Sequence, residues 1–201
     1  MPLTKLNNKA VANITSLPVA LGDMVLVSSA TASSSASIEF TLGDYKEYKF
    51  FFVNIHPQND QIDFQMNFST DSGSNYNVTK TTTAFRAFHN ELGNDTNFSY
   101  HTGEDLAQGT GFQSIAYEMD NANDMAIGGV MSVFNPSSTT YVKHFICQTS
   151  SNLDGGASFG IYNLNFFTAG YANTTSALTN IKFQMSSGNI DAGTILMYGL
   201  N

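Results

Sequence analysis

The sequence predicts an all-β fold, a two-sheet β-sandwich of the jelly-roll type that follows an extended N-terminal arm. About ten segments have strand-like composition and are separated by turn residues, and no convincing amphipathic helix appears. The 201 residues are enough for one domain with a sizeable core. Short antiparallel strands joined by a few long loops are typical of a jelly roll, and an immunoglobulin-like sandwich is the alternative.

The predicted strands are runs of apolar and β-branched residues bounded by Gly, Pro, Asn, Asp or Ser. In the third of them, Ile62, Phe64, Met66 and Phe68 alternate with polar residues, as in a strand with one face on a core. The segment 50–55 does not alternate, so we expect its outer face to meet another subunit; a central strand covered on both faces is the alternative. The predicted strands are 37–42, 48–56, 61–69, 77–88, 113–118, 126–134, 141–149, 164–172, 179–186 and 194–200.

The end of the chain is predicted to be a β-hairpin. Ile181, Phe183 and Met185 alternate with Lys182 and Gln184, which gives one apolar and one polar strand face. A glycine-containing loop then precedes a second apolar run. This pattern indicates two strands that finish the domain, and it contains no nucleophile or cofactor motif.

Two parts are predicted along the chain, an N-terminal attachment arm and linker at 1–36 and a jelly-roll domain at 37–201. The arm contains two short apolar segments, and the Ser, Ala and Thr tract that follows them, 28–37, is interpreted as a linker or an edge strand. We expect the apolar side chains of the arm to dock on a partner. They are Leu17, Val19, Leu21, Val25 and Val27.

Composition and charge exclude several classes of partner. The net charge is −8, and the eight Lys and Arg residues are scattered, so no basic stripe is available to neutralise a row of phosphates and no nucleic-acid binding is expected. The longest apolar run, 50–53, is far shorter than the about 20 residues of a membrane-spanning helix, so no membrane partner is expected. Residues 1–9 lack the apolar core of a signal peptide, which predicts synthesis in a cytoplasm. A surface with only 12% charged residues suits subunit assembly or contact with sugars.

The sequence contains no motif that identifies catalytic, cofactor-binding or metal-binding residues, and none are expected. No nucleophile-elbow or phosphate-loop motif occurs, and Cys147 lies in a strand-like run where a buried, inert thiol is expected. The acidic segment from Glu118 to Asp124 offers oxygen ligands for calcium, but it fails the EF-hand pattern because Ala122 and Met125 replace the expected ligand and glycine. A solvated acidic turn is favoured over a calcium site. Paired carboxylates of the glycosidase kind cannot be recognised from spacing along the chain.

Four aromatic residues near predicted loops and strand ends are candidates for stacking on sugars. The two longest predicted loops, 90–111 and 150–163, are polar and rich in Gly and Asn, and loops of this kind often hold binding residues. A place in the core or in a subunit interface is the alternative for each aromatic. The candidates are Tyr100, Phe112, Tyr162 and Tyr171.

Four segments, 36–41, 48–57, 134–145 and 181–200, resemble a module found in structural proteins of marine tailed bacteriophages, including those of cyanobacteria. The last segment is the most specific, and the likeness covers about residues 36–201. The resemblance implies a β-sandwich on the outside of a virion, as a capsid decoration, a head fibre or part of a tail fibre. It supplies no catalytic residues, and the arm resembles nothing that would identify its attachment point.

These observations together predict a non-enzymatic structural protein of the virion surface, made in the host cytoplasm and anchored by its N-terminal arm. The expected partners are other virion proteins of the capsid or tail, and further copies of the chain in a homo-oligomer, with a trimer expected. The alternative is a receptor-binding module of a tail fibre that recognises host-surface polysaccharide. A third hypothesis is an enzyme that cleaves such a polysaccharide.

Overall fold

The structure, a computed structural model, describes residues 24–201. Twelve β-strands account for its regular secondary structure. No helix in this described part is long and apolar enough to cross a membrane. The strands are β1 (Val25–Thr31), β2 (Ile38–Thr41), β3 (Glu47–Pro57), β4 (Ile62–Ser69), β5 (Lys80–Asn90), β6 (Thr96–Tyr100), β7 (Gln113–Met119), β8 (Ile127–Phe134), β9 (Lys143–Asp154), β10 (Ile161–Ala172), β11 (Asn180–Met185) and β12 (Ile190–Leu200).

The strands form two antiparallel sheets. The large sheet has eight strands in the order β1-β12-β3-β8-β9-β10-β5-β6, and the small sheet has four in the order β2-β11-β4-β7. Every pairing between neighbours is antiparallel. The predicted all-β, two-sheet architecture is therefore confirmed.

The core lies between the two sheets and is rich in phenylalanine. Phe183 of β11 is fully buried and stacks on Phe64 of β4, with ring centroids 5.8 Å apart. The same ring meets Phe50 and Phe52 of β3 edge to face, at 5.3 and 5.4 Å. Because β11 and β3 belong to different sheets, these aromatic contacts join the sheets face to face.

The predicted terminal hairpin is wrong, although both of its strands exist. β11 lies between β2 and β4 in the small sheet, whereas β12 lies between β1 and β3 in the large sheet. The connection 186–189 crosses from one sheet to the other, a gap of about 10 Å that a few extended residues can span. Alternation identifies the buried face of each strand but does not specify its partner, so the local pattern could not exclude this crossing.

Two strands occur where the sequence predicted an arm and a loop, and the first of them overlaps the tract 28–37, for which an edge strand is one of the two interpretations. β1 lies within the segment 1–36 and forms one edge of the large sheet, beside β12. β6 lies within the predicted loop 90–111 and forms the opposite edge, beside β5. The arm residues Leu17, Val19 and Leu21 lie outside the described residues.

The hairpin of β9 and β10 is longer than predicted. The two strands pair continuously from Lys143–Ala172 to Asp154–Ile161, so the predicted loop 150–163 shortens to a turn at 155–160. Glycine begins and ends this turn, and Gly156 and Gly160 have positive φ angles of 71° and 67°. The polar residues at 150–154 belong to a strand because β10 pairs with all of them and β8 also pairs with Ser150.

The strand β3 has different surroundings on its two faces. Phe50 and Phe52 point into the core, and Phe51 lies on the outer face against Tyr198 of β12, with ring centroids 5.5 Å apart. Val53, also on the outer face, is 44% exposed. The apolar outer face predicted from the lack of alternation in 50–55 is therefore only partly covered by the described residues.

Candidate functional site

The first candidate surface is the free edge of β1. This strand pairs with β12 on one side and with no other strand of the described chain on its other side. Val25, Leu26 and Val27 are 44, 51 and 40% exposed. An edge strand with unpaired backbone groups and exposed apolar side chains is a surface on which another chain can add a strand. Val25 and Val27, two of the predicted docking residues, lie on this edge.

The second candidate surface is a groove on the outer face of the large sheet, where β5, β9 and β10 run side by side. In one cross-strand row, Tyr171 of β10 lies between Thr81 of β5 and His144 of β9. In the next row, Ala169 lies between Thr83 and Ile146. Because opposed residues share a face, these side chains line one open groove of about 490 Å³.

The groove combines an aromatic ring with polar groups. The rings of Tyr171 and His144 lie 5.9 Å apart. The Thr81 hydroxyl accepts a hydrogen bond from the Gln108 side chain at 2.7 Å, and Ile146 is 43% exposed. An apolar floor beside a ring, an imidazole and hydroxyls has the chemistry that fits a sugar, whose ring presents apolar faces and hydroxyl edges.

The other three aromatic candidates lie elsewhere. Tyr162 is nine residues before Tyr171 on β10 and faces the opposite side of the sheet, because an odd separation reverses the face. Tyr100 is on the outer face but on β6, where it pairs with Phe85, and Phe112 is half-buried just before β7. The four predicted residues therefore do not form one platform.

The hydroxyl groups of two of these tyrosines are held by carboxylates. Tyr162 is only 9% exposed and donates a 2.7 Å hydrogen bond to Asp95, and burial together with this bond raises the pKa of Tyr162 to about 12. Tyr100 donates a 2.6 Å hydrogen bond to Asp105, which raises its pKa. Burial leaves Tyr162 little surface for a ligand, whereas Tyr100 is 51% exposed.

The acidic segment 118–124 directs its carboxylates to separate neighbours. Glu118 accepts a hydrogen bond from Tyr117 and lies 3.9 Å from Arg86. Asp120 is buried and accepts a hydrogen bond from the Asp154 backbone amide. Among residues 24–201, no group of three or more His, Cys, Asp or Glu is placed to hold a metal ion.

Asp120 shares a hydrogen bond with the carboxyl group of Asp60, and burial and this neighbour raise the pKa of Asp120 to about 6. An unfolded aspartate titrates near pH 3.9, so between about pH 4 and 6 the folded chain holds a proton that the unfolded chain has released. Raising the pH through this window therefore favours unfolding.

We expect Asp120→Asn to raise the free energy of unfolding at pH 7 by about 1–2 kcal/mol, because an amide keeps the acceptor for Asp154 and donates to Asp60 without a charge. Urea unfolding at pH 4 and pH 7 measures this, and the gain should nearly vanish at pH 4. Asp124→Asn, which changes an exposed carboxylate of the same segment, is the control. An equal gain in the control, or a gain that does not depend on pH, would contradict the assignment.

A second carboxyl pair, Glu104 and Asp63, was not predicted because its members are distant in the sequence. Burial and the hydrogen-bonded Asp63 carboxylate raise the pKa of Glu104 to about 6, and the Ser114 hydroxyl donates to Asp63 at 2.9 Å. Cys147 is buried in the core, which raises the pKa of its thiol and keeps it protonated.

No family model, curated protein or solved structure matches the chain.

Proposed function

We propose that the protein is a non-enzymatic structural protein on the virion surface of a tailed phage, where it decorates the capsid or forms part of a fibre. The observation that supports this most directly is the β1 edge. The exposed run from Val25 to Val27 begins directly after residues 1–23, so a partner that receives the arm would also reach an unpaired strand. A strand of the partner, added to β1, would satisfy its free backbone groups and cover its apolar side chains.

We also propose that the two sheets form a jelly roll. The pairs β2–β11, β3–β8, β4–β7 and β5–β6 are nested one inside the next, and they fall alternately in the small and the large sheet. A long antiparallel ribbon rolled up on itself produces such an order, which is the topology of a jelly roll. In this interpretation β9 and β10 are inserted into the large sheet between β8 and β5. The strands β12 and β1 are added to the same sheet at the edge beside β3.

We propose further that several copies assemble as a homo-oligomer, and we expect a trimer. An apolar row crosses the outer face of the large sheet from β12 to β5 and is only half-buried within one chain. Apolar surface left open in one subunit is a common site of subunit contact. The row consists of Leu196, Phe51, Val130, Phe167 and Phe85, with Gln148 between its two parts.

Attachment through the arm and β1 is tested by particle incorporation. Deletion of residues 1–23, and separately the double change Val25→Thr and Val27→Thr, should each lower incorporation at least about tenfold by removing apolar docking area. Threonine keeps the β-branched shape that suits a strand, so thermal unfolding should remain cooperative. Leu92→Thr changes a residue that is 57% exposed in the turn before β6 and should leave incorporation unchanged. Normal incorporation of both folded variants would refute attachment by this edge.

The Tyr171 groove favours a second function, binding of host-surface polysaccharide by a tail-fibre module. We expect Tyr171→Ala to weaken binding to host envelope polysaccharide about five- to thirtyfold, because a stacked ring contributes on the order of 1–2 kcal/mol. Binding is measured on immobilised polysaccharide. Tyr141→Ala removes a tyrosine that is 71% exposed outside the groove and is the control. Absence of binding by the unchanged protein, or equal losses in the two variants, would count against this function.

A further inference from the structure

Two fully buried polar side chains, Lys80 and Asn67, meet where the small and large sheets come together. Asn67 belongs to β4 and Lys80 is the first residue of β5. The Lys80 Nζ donates to the Asn67 Oδ1 at 2.6 Å and to the Val78 carbonyl at 2.8 Å. No carboxylate among residues 24–201 forms an ion pair with this amine.

A buried ammonium ion without a counter-charge is costly, and burial accordingly lowers the pKa of Lys80 to about 7. Near neutral pH a large share of the lysine is then the free amine. The free amine has a lone pair and is a nucleophile, which the ammonium ion is not.

The carboxamide of Asn67 is held in a way that suits acyl transfer. Its Oδ1 accepts a hydrogen bond from the Phe68 backbone amide at 2.8 Å, a donor placed to stabilise negative charge on that oxygen. Its Nδ2 faces three carbonyl oxygens, those of Tyr76, Thr110 and Gly111, at 2.6, 3.0 and 3.2 Å. A carboxamide has two N–H groups for these three acceptors, whereas ammonia has three.

The geometry points to a self-formed isopeptide bond between the side chains of Lys80 and Asn67. The Nζ lone pair attacks the Asn67 Cγ and forms the new C–N bond. The bond from Cγ to Nδ2 then breaks, one proton passes from Nζ to Nδ2, and Nδ2 leaves as ammonia. The step is a transamidation without oxidation or reduction, and it needs no cofactor.

The distance and the surroundings favour this step. The carbonyl bond is about 1.2 Å long, so a Nζ atom 2.6 Å from Oδ1 lies within about 3.8 Å of Cγ. Near-attack distances are about 3–3.5 Å, and attack on an amide carbon comes over the face of the amide, so Nζ has to leave its hydrogen bond to Oδ1 and move a short way toward Cγ. Thr110 and Gly111 are exposed and offer ammonia a route to solvent. The bond would join β4 to β5 and thus link the two sheets covalently.

Mass spectrometry of the full chain tests the inference. After incubation for days above pH 7, the measured mass of the protein should be lower than the mass calculated from its sequence by the mass of one ammonia molecule. Trypsin does not cleave after an acylated lysine, so after denaturation the digest should contain an uncleaved peptide across Lys80, also lighter by one ammonia. Lys143 is the internal control, because it is equally buried but its Nζ donates to the carbonyls of Thr174 and Ser176, and cleavage after it should be complete.

Three comparisons separate this bond from other chemistry. Cyclisation of Asn67 onto its own backbone would also release ammonia but would leave the cleavage after Lys80 intact, and this result would overturn the inference. Lys80→Met, and the unchanged chain kept unfolded in guanidinium during the incubation, should both keep the full mass. Full mass and complete cleavage after Lys80 in the folded, incubated wild-type protein would refute the bond, and this readout does not depend on whether any variant folds.

Discussion

Replacing Phe183 by alanine is expected to lower the free energy of unfolding by about 3–5 kcal/mol, the largest effect that we predict for a single side chain. Phe183 is fully buried, and its ring contacts Phe50 and Phe52 of the facing sheet and Phe64 of its own sheet. Alanine would remove the apolar area that joins the sheets and leave a cavity. The rigid surrounding strands can close such a cavity only in part.

Urea unfolding measures this loss, and Phe98→Ala is the matched control. Phe98 lies on the edge strand β6, is 69% exposed and contacts Phe85 edge to face at 5.4 Å. Its removal should cost less than about 1 kcal/mol, because only a small part of the surface of this ring is buried when the protein folds. Similar losses for the two variants would contradict the position of Phe183 at the centre of the core.

Replacing Gly129 by alanine is the second large prediction, with an expected loss of about 2–3 kcal/mol. Gly129 lies in β8 between Phe52 of β3 and Thr149 of β9. A Cβ atom placed there would lie 2.6 Å from the Gln148 carbonyl oxygen and 2.8 Å from the Thr149 Cγ2. The first of these contacts is with backbone, so relief requires a shift of a central strand of the large sheet.

The neighbouring Gly128 provides a control in the same strand. A Cβ atom on Gly128 would have no heavy atom within 4 Å, and this residue faces the outside of the sheet. Gly128→Ala should therefore change stability by less than about 0.5 kcal/mol, or raise it slightly by restricting the unfolded chain. Chemical unfolding of the two variants should differ clearly. Equal stability would show that the sheet can accommodate a methyl group at Gly129.

The sequence was most informative about strands and faces. Alternation in β4 identified Ile62, Phe64, Met66 and Phe68 as core residues, and all four are buried. The same reasoning held for Ile181, Phe183 and Met185 of β11. Alternation works for such strands because one face packs on a core while the other remains more exposed. It fails at the end of β4, where Asn67 and Ser69, on the face predicted to be polar and wet, are fully buried as well.

The candidate surfaces were only partly predictable. Val25 and Val27 were selected from their apolar character, and both are exposed on an edge. Tyr171 was selected as an aromatic near a strand end, but its groove partners Thr81 and His144 come from other strands and have no local signal. Grouping Tyr171 with Tyr162 failed because the two tyrosines point to opposite faces of β10 once the whole stretch is one continuous strand.

The sequence by itself determined that this protein is all-β and which apolar residues of β4 and β11 face the core. Only the tertiary structure decided that β11 and β12 belong to different sheets, that β1 and β6 form the edges of the large sheet, and that Lys80 meets Asn67. The physical reason is that side-chain periodicity is a local property of the backbone, whereas strand pairing depends on contacts between distant segments. Such contacts are selected by how the complete core packs.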